Sequence, residues 1–150
     1  MKLTSKVFEH EGKIPSKYTC DGENVNPPLQ ISGVPENAKT LVLIMDDPDV
    51  PPSVRQDQMF DHWVVFNIPP DIENIDEGNE PPGTAGIGTS GQTGYYGPCP
   101  PDREHRYFFK LYALDTKLGL SEEADKKAVE KAMDGHIIEK HVLMGRYERI

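Results

Sequence analysis

The stretch YFFKLYAL at residues 107–114 decides the fold class, together with two similar runs earlier in the chain. These are TLVLIM at residues 40–45 and HWVVFNI at residues 62–68. Each run is short, rich in β-branched or aromatic residues, and bounded by Pro, Gly, Asn or Asp. Such runs are typical of strands rather than helices. We predict that all three are inner strands of a sheet.

Weaker apolar runs at residues 3–8, 29–34 and 142–150 predict further strands. Only one segment has a helical pattern. After Ser121, the sequence EEADKKAVEKAM places small and apolar residues on one stripe, begins with two acids and stops at Gly135. The chain is therefore predicted to be mainly β, an antiparallel β-sandwich with one or two short helices near the C-terminus.

The composition excludes several classes of function. The chain has 16 Lys plus Arg against 25 Asp plus Glu, which gives a formal net charge of −9. A nucleic acid or an acidic lipid surface would repel this excess of carboxylates, so we expect neither as a partner. The length suits one domain, predicted at residues 1–150. No apolar run approaches the ~20 residues of a membrane span, and no signal peptide is evident, so a cytoplasmic location is the default expectation.

Residues 69–106 form a long connection that contains many of the 14 prolines and 13 glycines of the chain. Proline at this density interrupts helices and inner strands. An irregular connection of this length inside a compact domain is uncommon, and it is often functional when present. We therefore expect residues 69–106 to carry part of the function.

The segment DDPDVPP at residues 46–52 follows directly on a predicted strand. Its prolines restrict the preceding residues to extended geometry, and in an extended chain Asp47 and Asp49 project to the same side. This stiff strand end would present two carboxylates at a site. The alternative is a proline-rich turn whose Asp side chains cap backbone amides.

The segment GYYGPCPPDREHRY at residues 94–107 brings His105, Arg106 and Tyr107 to the start of the third apolar run. A glycine such as Gly97 allows a backbone amide to approach a ligand without a Cβ in the way. A histidine at the entrance of a strand, after a loop rich in proline and glycine, is both exposed enough to titrate and held firmly enough to bind. These residues are candidates for a ligand site.

Three chemistries are open to these residues once His62, at the start of HWVVFNI, is added. With Asp47 or Asp49, His62 and His105 have the two-His-one-carboxylate composition of open metal sites, but the spacing carries no HxH or HxxxH pattern. Cys99 and a histidine suit a nucleophilic pair, but no helix start follows Cys99 to activate its thiol. Anion binding, with imidazole, tyrosine and backbone donors, needs no special spacing and fits best.

Cys20 and Cys99 are too few and too far apart for a disulfide framework or a CxxC metal site. They form either two reduced thiols or one long-range disulfide. The reduced pair is what we expect of a cytosolic protein.

The stretches YTCDGENVNPPL, DDPDVP, HWVVFNIP, GYYGPCPP, EHRYFFKLYALD and AMDGHII closely resemble, in this order, the phosphatidylethanolamine-binding protein family. The resemblance is to its bacterial and archaeal branch; the family also contains the Raf kinase inhibitor proteins. The resemblance extends from about Phe8 to Tyr147. The two diagnostic motifs of the family match Asp47–Pro51 and the HRY at residues 105–107. It implies a sandwich of two antiparallel sheets with a small pocket for phosphate-like anions, including phospholipid headgroups.

The resemblance also implies which residues form that pocket. Ligand-binding roles carry over to Asp47, Pro51, His62, Gly97, His105 and Tyr107. Asp49, Phe60 and Arg106 are secondary candidates. The resemblance implies in addition a cis peptide bond between Val50 and Pro51, which proline permits.

The predicted function is non-enzymatic binding, without a metal or other cofactor. The candidate partners are a small phosphate-like anion or a phosphoethanolamine headgroup, a kinase or protease that contacts the 69–106 region, and a second copy of the chain in a homodimer. A small hydrolase or a metal-dependent enzyme that uses His62 and His105 is the alternative. Because an unperturbed histidine titrates near pH 6.5, affinity for phosphate is expected to rise as the pH falls toward 6. A larger ligand would gain apolar contacts from Phe60 or Trp63.

Overall fold

Eight strands and one α-helix form the framework of the computed structural model, which describes residues 1–149. The strands are β1 (Lys2–Thr4), β2 (Leu29–Ser32), β3 (Thr40–Asp47), β4 (Phe60–Ile68), β5 (Asn74–Ile75), β6 (Thr84–Ala85), β7 (His105–Leu114) and β8 (Ile137–Tyr147). The helix is α1 (Lys126–Met133), and a single 3-10 turn covers Ser16–Tyr18. The larger sheet has the order β6-β4-β3-β7-β8, and the smaller sheet has the order β1-β2-β5. All pairings within these two sheets are antiparallel, which confirms the predicted class.

Strand β3 lies at the centre of the larger sheet, and all of its residues are buried. Leu41 and Leu43 pack into the core with residues of the smaller sheet. Val42 and Ile44 pack on the opposite face, with residues of α1. A strand that is covered on both faces is apolar throughout rather than alternating. The prediction that the three apolar runs are inner strands is confirmed.

Helix α1 begins later than the sequence pattern predicts. Asp125 is its N-cap, because the Asp125 carboxylate accepts a hydrogen bond from the Ala128 amide at 2.9 Å. Just before it, the Ala124 carbonyl accepts a hydrogen bond from the Ile87 amide at 2.8 Å. That loop contact holds the preceding residues outside the helix. The helix packs on the outer face of the larger sheet.

The outer strands also differ in length from the prediction. Strand β8 begins well before the predicted 142–150 strand, and position 150 lies outside the described residues. Strands β1 and β2 are shorter than the predicted strands at 3–8 and 29–34. Within residues 1–149, no helix is long and apolar enough to cross a membrane.

The long connection between β4 and β7 is mostly irregular, as its proline content predicts. It adds β5 to the edge of the smaller sheet and then β6 to the edge of the larger one. It then passes the end of the larger sheet before entering β7. Its last segment therefore lies beside the strand ends that carry the candidate site.

Candidate functional site

A β-bulge sets the direction of the His62 side chain. Met45 of β3 lies opposite Trp63 of β4, while the next residue, Asp46, lies opposite Asp61. One step along β3 thus corresponds to two steps along β4, and His62 is the extra residue. Regular alternation would place His62 and Trp63 on opposite faces. The bulge instead turns His62 toward the residues at the end of the sheet, as bulges next to binding sites often do.

A cavity of about 240 Å³ opens at this end of the larger sheet. Strand β3 ends there, and its antiparallel neighbours β4 and β7 begin there, so side chains from all three strands converge. The lining consists of Asp47, Val50, Val54, Phe60, His62, Tyr96, Cys99, Pro101, His105 and Tyr107. The structure therefore brings together five of the predicted residues: Asp47, Phe60, His62, His105 and Tyr107.

Buried His105 lies between two carboxylates. Its Nδ1 is 2.6 Å from Asp47 Oδ2, and its Nε2 is 2.6 Å from Asp102 Oδ1. Carboxylate oxygens accept hydrogen bonds, so an imidazolium with both nitrogens protonated satisfies both contacts. Asp47 is itself nearly fully buried, and this burial raises the pKa of its carboxyl group against the opposing effect of the His105 contact. The sequence interpretation missed Asp102, whose only signal is its position in the loop just before β7.

The other histidine of the cavity, His62, is held in one tautomer by a backbone carbonyl. His62 Nδ1 lies 2.6 Å from the carbonyl oxygen of Tyr96, which accepts, so this nitrogen carries the proton. Burial lowers the pKa of His62 to about 4, and the ring is therefore neutral at pH 7. Its Nε2 then carries a lone pair. His62 therefore does not supply the titration near pH 6.5 from which a rise in phosphate affinity toward pH 6 was expected, because desolvation disfavours its charged form.

The buried state of His62 predicts a pH dependence of stability. Since the folded pKa of His62 lies below that of the unfolded chain, the unfolded state binds more protons between about pH 6.5 and 4. The free energy of unfolding should therefore fall as the pH decreases through that window, with His62 contributing a loss of about 2 kcal/mol at pH 5. Urea unfolding at pH 7.5 and 5 measures this loss. His62→Asn should show a smaller drop than wild type, and equal drops would contradict the prediction.

Tyr107 provides an unpaired donor in the cavity. Its side chain is fully buried, yet its hydroxyl has no hydrogen-bond partner among residues 1–149. Burial raises the pKa of Tyr107, so the hydroxyl stays protonated. Its ring packs against His62, with centroids 5.3 Å apart, and lies parallel to His105 at 6.5 Å. The three rings form one side of the site.

Gly97 has a packing role. Its amide donates to Asn24 Oδ1 at 2.9 Å, so the amide proposed as a ligand donor is already used within the chain. A Cβ at this position would overlap Asn24 Oδ1 and the carbonyl oxygen of Tyr18. Glycine is therefore needed for the close approach of the two loops behind the cavity. Asn24 is a residue that sequence reasoning did not single out.

Pro51 shapes the mouth of the cavity without lining it. Its carbonyl oxygen accepts a hydrogen bond from the Val54 amide at 2.9 Å. This turn places Val54 at the mouth, where it is 60% exposed. Residues 1–149 contain no cis peptide bond, so the implied cis bond between Val50 and Pro51 is wrong. An X-Pro bond favours the trans form by only about 0.5–1 kcal/mol, so either isomer is accessible to a proline turn.

Asp49 and Arg106 bind each other outside the cavity. Arg106 Nε and Nη2 donate to the two carboxylate oxygens of Asp49 at 2.9 and 2.8 Å, and these bonds lower the pKa of Asp49. Asp47 Oδ1 accepts a hydrogen bond from the Asp49 amide at 2.7 Å, which is the capping contact of the alternative turn interpretation. Asp47 thus both caps the turn and lines the cavity. The ion pair between Asp49 and Arg106 instead links the end of β3 to the start of β7.

Trp63 does not contribute the predicted apolar contact to a ligand. It is fully buried in the core, and its indole Nε1 donates to Glu80 Oε1 at 2.9 Å. Phe60 and Tyr96 instead provide the aromatic surface beside His62, with ring centroids of Phe60 and Tyr96 5.7 Å apart. Tyr96 was missed because nothing in its sequence context separates it from Tyr95, which points away into the core.

Cys20 and Cys99 form a disulfide, with their Cα atoms 5.4 Å apart. The expectation of two reduced thiols is therefore wrong. Two loops that are far apart in sequence meet here: the Cys20 amide donates to the Pro98 carbonyl at 3.1 Å, and the Tyr95 hydroxyl donates to the Tyr18 carbonyl at 2.7 Å. Because Cys99 has no free thiol in this structure, the alternative of a cysteine-histidine nucleophilic pair is contradicted.

The two histidines of the cavity use their ring nitrogens for contacts within the chain. Among residues 1–149, no group of three or more His, Cys, Asp or Glu side chains is arranged to hold a metal ion. His62 uses Nδ1 for the Tyr96 carbonyl, and His105 uses both nitrogens for carboxylates. The two histidines therefore do not combine with Asp47 or Asp49 into a facial ligand set.

The comparisons with known proteins agree with the fold over the whole chain. Residues 4–148 match the family described as phosphatidylethanolamine-binding protein. The chain is 50% identical to a "UPF0098 protein" of Chlamydia trachomatis over 149 residues, and 50% identical to one of Methanothermobacter thermautotrophicus over 155 residues. Each alignment covers 99% of both chains.

Solved structures give the same result. A crystal structure described as a phosphatidylethanolamine-binding protein homologue of Chlamydia trachomatis superimposes with a TM-score of 0.96 at 49% identity, covering 99% of this chain and 97% of that one. The structure of YbcL from Escherichia coli, described as a new member of the mammalian PEBP family, superimposes with a TM-score of 0.89 at 27% identity. That alignment covers 99% of this chain and 98% of YbcL. The chain belongs to the phosphatidylethanolamine-binding protein family.

Proposed function

We propose that this chain binds a small phosphate-bearing headgroup in the cavity between His62 and His105, without chemical turnover. The observation that carries the proposal is the buried hydroxyl of Tyr107, which has no partner in the described part of the chain. A buried polar group without a hydrogen bond costs about 1–3 kcal/mol. A ligand that accepts a hydrogen bond from Tyr107 recovers this free energy, and a phosphate oxygen is such an acceptor.

The polar groups of the cavity favour a ligand that carries a donor as well as an acceptor. Tyr107 donates, whereas the Nε2 lone pair of His62 accepts. The carboxylates of Asp47 and Asp102 add negative charge around His105, which disfavours a bare phosphate. A phosphoethanolamine headgroup meets these demands, because it joins phosphate oxygens to an ammonium donor. It therefore fits better than inorganic phosphate.

The mouth of the cavity suits a headgroup with an apolar extension. Val54 and Tyr96 are two of the large apolar side chains that are exposed, and both line this cavity. Phe60 lies beside them. An acyl or alkyl chain that leaves the headgroup would cover these side chains and gain about 25 cal/mol per Å² of apolar surface buried.

An NMR titration with O-phosphorylethanolamine tests the proposal. Tyr107→Phe removes only the unpaired hydroxyl and should weaken binding roughly tenfold to a hundredfold, which corresponds to the loss of one hydrogen bond to a charged group. Tyr112→Phe is the matched control, since Tyr112 is on the same strand but packs on the opposite face against α1. It should bind as wild type does. Absence of ligand-dependent shifts in the wild-type cavity, or equal binding by Tyr107→Phe, would rule out this site.

Other parts of the predicted function stay predictions. These are a kinase or protease partner, a homodimer and a cytoplasmic location. The relatives named above carry no enzyme name in their descriptions. Binding is the function that the geometry supports best, because Cys99 is held in a disulfide and the unpaired Tyr107 hydroxyl needs an acceptor.

A further inference from the structure

An anionic group of the chain itself contacts His105 on the side away from Asp47. Asp102 Oδ1 lies 2.6 Å from His105 Nε2, and Asp102 Oδ2 lies 3.7 Å from Arg103 Nε. A histidine ring nitrogen and an arginine side chain thus converge on one carboxylate. A contact this short to a charged group is typical of the stronger, charge-assisted hydrogen bonds.

Asp102 also links two neighbouring cavities through its contact with His105. The cavity of the proposed headgroup site includes His105 and Pro101 in its lining. A second cavity of about 250 Å³ is lined by Pro101, Asp102, Arg103 and Arg149, among others. Pro101 belongs to both linings, and the Asp102 carboxylate of the second cavity contacts His105 of the first.

The two carboxylates that contact His105 differ in their freedom to move. The Asp47 side chain is 4% exposed, sits on β3 and caps the turn that follows. The Asp102 side chain is 38% exposed and sits on the irregular loop before β7. Asp102 can therefore turn into water without leaving a buried charge unpaired, whereas Asp47 cannot.

We propose that the Asp102 carboxylate occupies the position of the ligand's phosphate and that a phosphate group displaces it, taking its contacts with His105 Nε2 and Arg103. This inference rests on the proposed headgroup function and adds the residue that controls its affinity. A phosphate oxygen accepts hydrogen bonds as a carboxylate oxygen does, so the exchange keeps His105 paired on both sides. No covalent bond changes.

The exchange makes Asp102 an internal competitor of the ligand. Every binding event must break the Asp102 contact with His105 before the phosphate contact forms. Removing the carboxylate should therefore tighten binding of a phosphate compound. The expected gain is roughly tenfold to a hundredfold, the range of a hydrogen bond to a charged group.

The test compares Asp102→Ala, Asp102→Asn and wild type by NMR titration with O-phosphorylethanolamine. Asp102→Ala should tighten binding most. Asp102→Asn keeps the size of the side chain and an acceptor oxygen, so its gain should be smaller, and it serves if the alanine variant folds poorly. Glu104→Ala is the control for net charge, because Glu104 pairs with Arg146 instead of His105. Ethanolamine, which lacks the phosphate, should gain no affinity in any variant.

The outcomes separate the inference from the function on which it rests. A phosphate-dependent gain in the Asp102 variants, absent in Glu104→Ala, supports the exchange. Equal binding by wild type and both Asp102 variants, still weakened by Tyr107→Phe, overturns the exchange and leaves the headgroup site standing. A similar gain in Glu104→Ala reduces the effect to net charge and also overturns the exchange. No binding by any of these proteins overturns the proposed function itself.

Discussion

Replacing Cys20 and Cys99 together by serine should lower the free energy of unfolding by about 4.5 kcal/mol. The disulfide joins residues that are 79 positions apart in the sequence. In the chain-entropy description, closing a loop of this length removes many conformations from the unfolded chain, and the stabilisation grows with the logarithm of the loop length. Urea unfolding of the oxidised wild type and the double variant measures the difference.

Reduction provides the internal control for this prediction. Wild type in the presence of a reductant should unfold at the urea concentration of the double variant, while the variant itself should not respond to the reductant. A difference below about 1 kcal/mol between oxidised wild type and variant would contradict the prediction. Because Cys99 also lines the cavity between His62 and His105, the same samples show whether the bond supports binding of the proposed ligand.

Asp47→Ala is the second large change, with an expected loss of about 3–5 kcal/mol in the free energy of unfolding. Asp47 and His105 form a buried pair with side chains 4% and 0% exposed. Without the carboxylate, His105 Nδ1 loses its partner in a site that water does not reach. The Asp49 amide, which donates to Asp47 Oδ1, loses its acceptor too. Urea unfolding at pH 7.5 gives the value.

Asp57→Ala is a matched control for Asp47→Ala. The same side chain is removed, but Asp57 is 58% exposed and pairs with Arg55 at the surface, so its loss should be far smaller than that of Asp47→Ala. Asp47→Asn should fall between the two, because an amide oxygen still accepts from the Asp49 amide. If Asp47→Ala costs no more than Asp57→Ala, the buried pair does not stabilise the fold.

The fold was predictable because a strand that is buried on both faces has an uninterrupted apolar sequence. A strand such as β3 has neighbours on both faces, so its apolar residues run without interruption. The boundaries of α1 were less predictable. Residues before Asp125 have the composition of a helix start, but a contact with Ile87, distant in sequence, competes for their backbone. Local propensity yields to such contacts when the two disagree.

The site was predictable in part. Asp47, His105 and Tyr107 lie at strand ends, and antiparallel neighbours bring the end of one strand next to the start of another. Their convergence therefore follows from the topology. The protonation state of His62 did not follow, because it depends on the Tyr96 carbonyl and on burial. Asp102 could not be predicted, because an acidic residue in an exposed loop has no distinguishing sequence signal. Only its contact with His105 in the folded chain marks it as part of the site.

The fold class, the inner strands and the residue types at the site could be predicted from the sequence, since these depend on hydrophobic pattern and on residues close along the chain. The tertiary structure sets the direction of His62, through one extra residue in the pairing of β4 with β3. It also decided that Cys20 meets Cys99 and that the Gly97 amide is used by Asn24. Each of these depends on register or on contact between distant loops, which the order of residues along one strand does not contain.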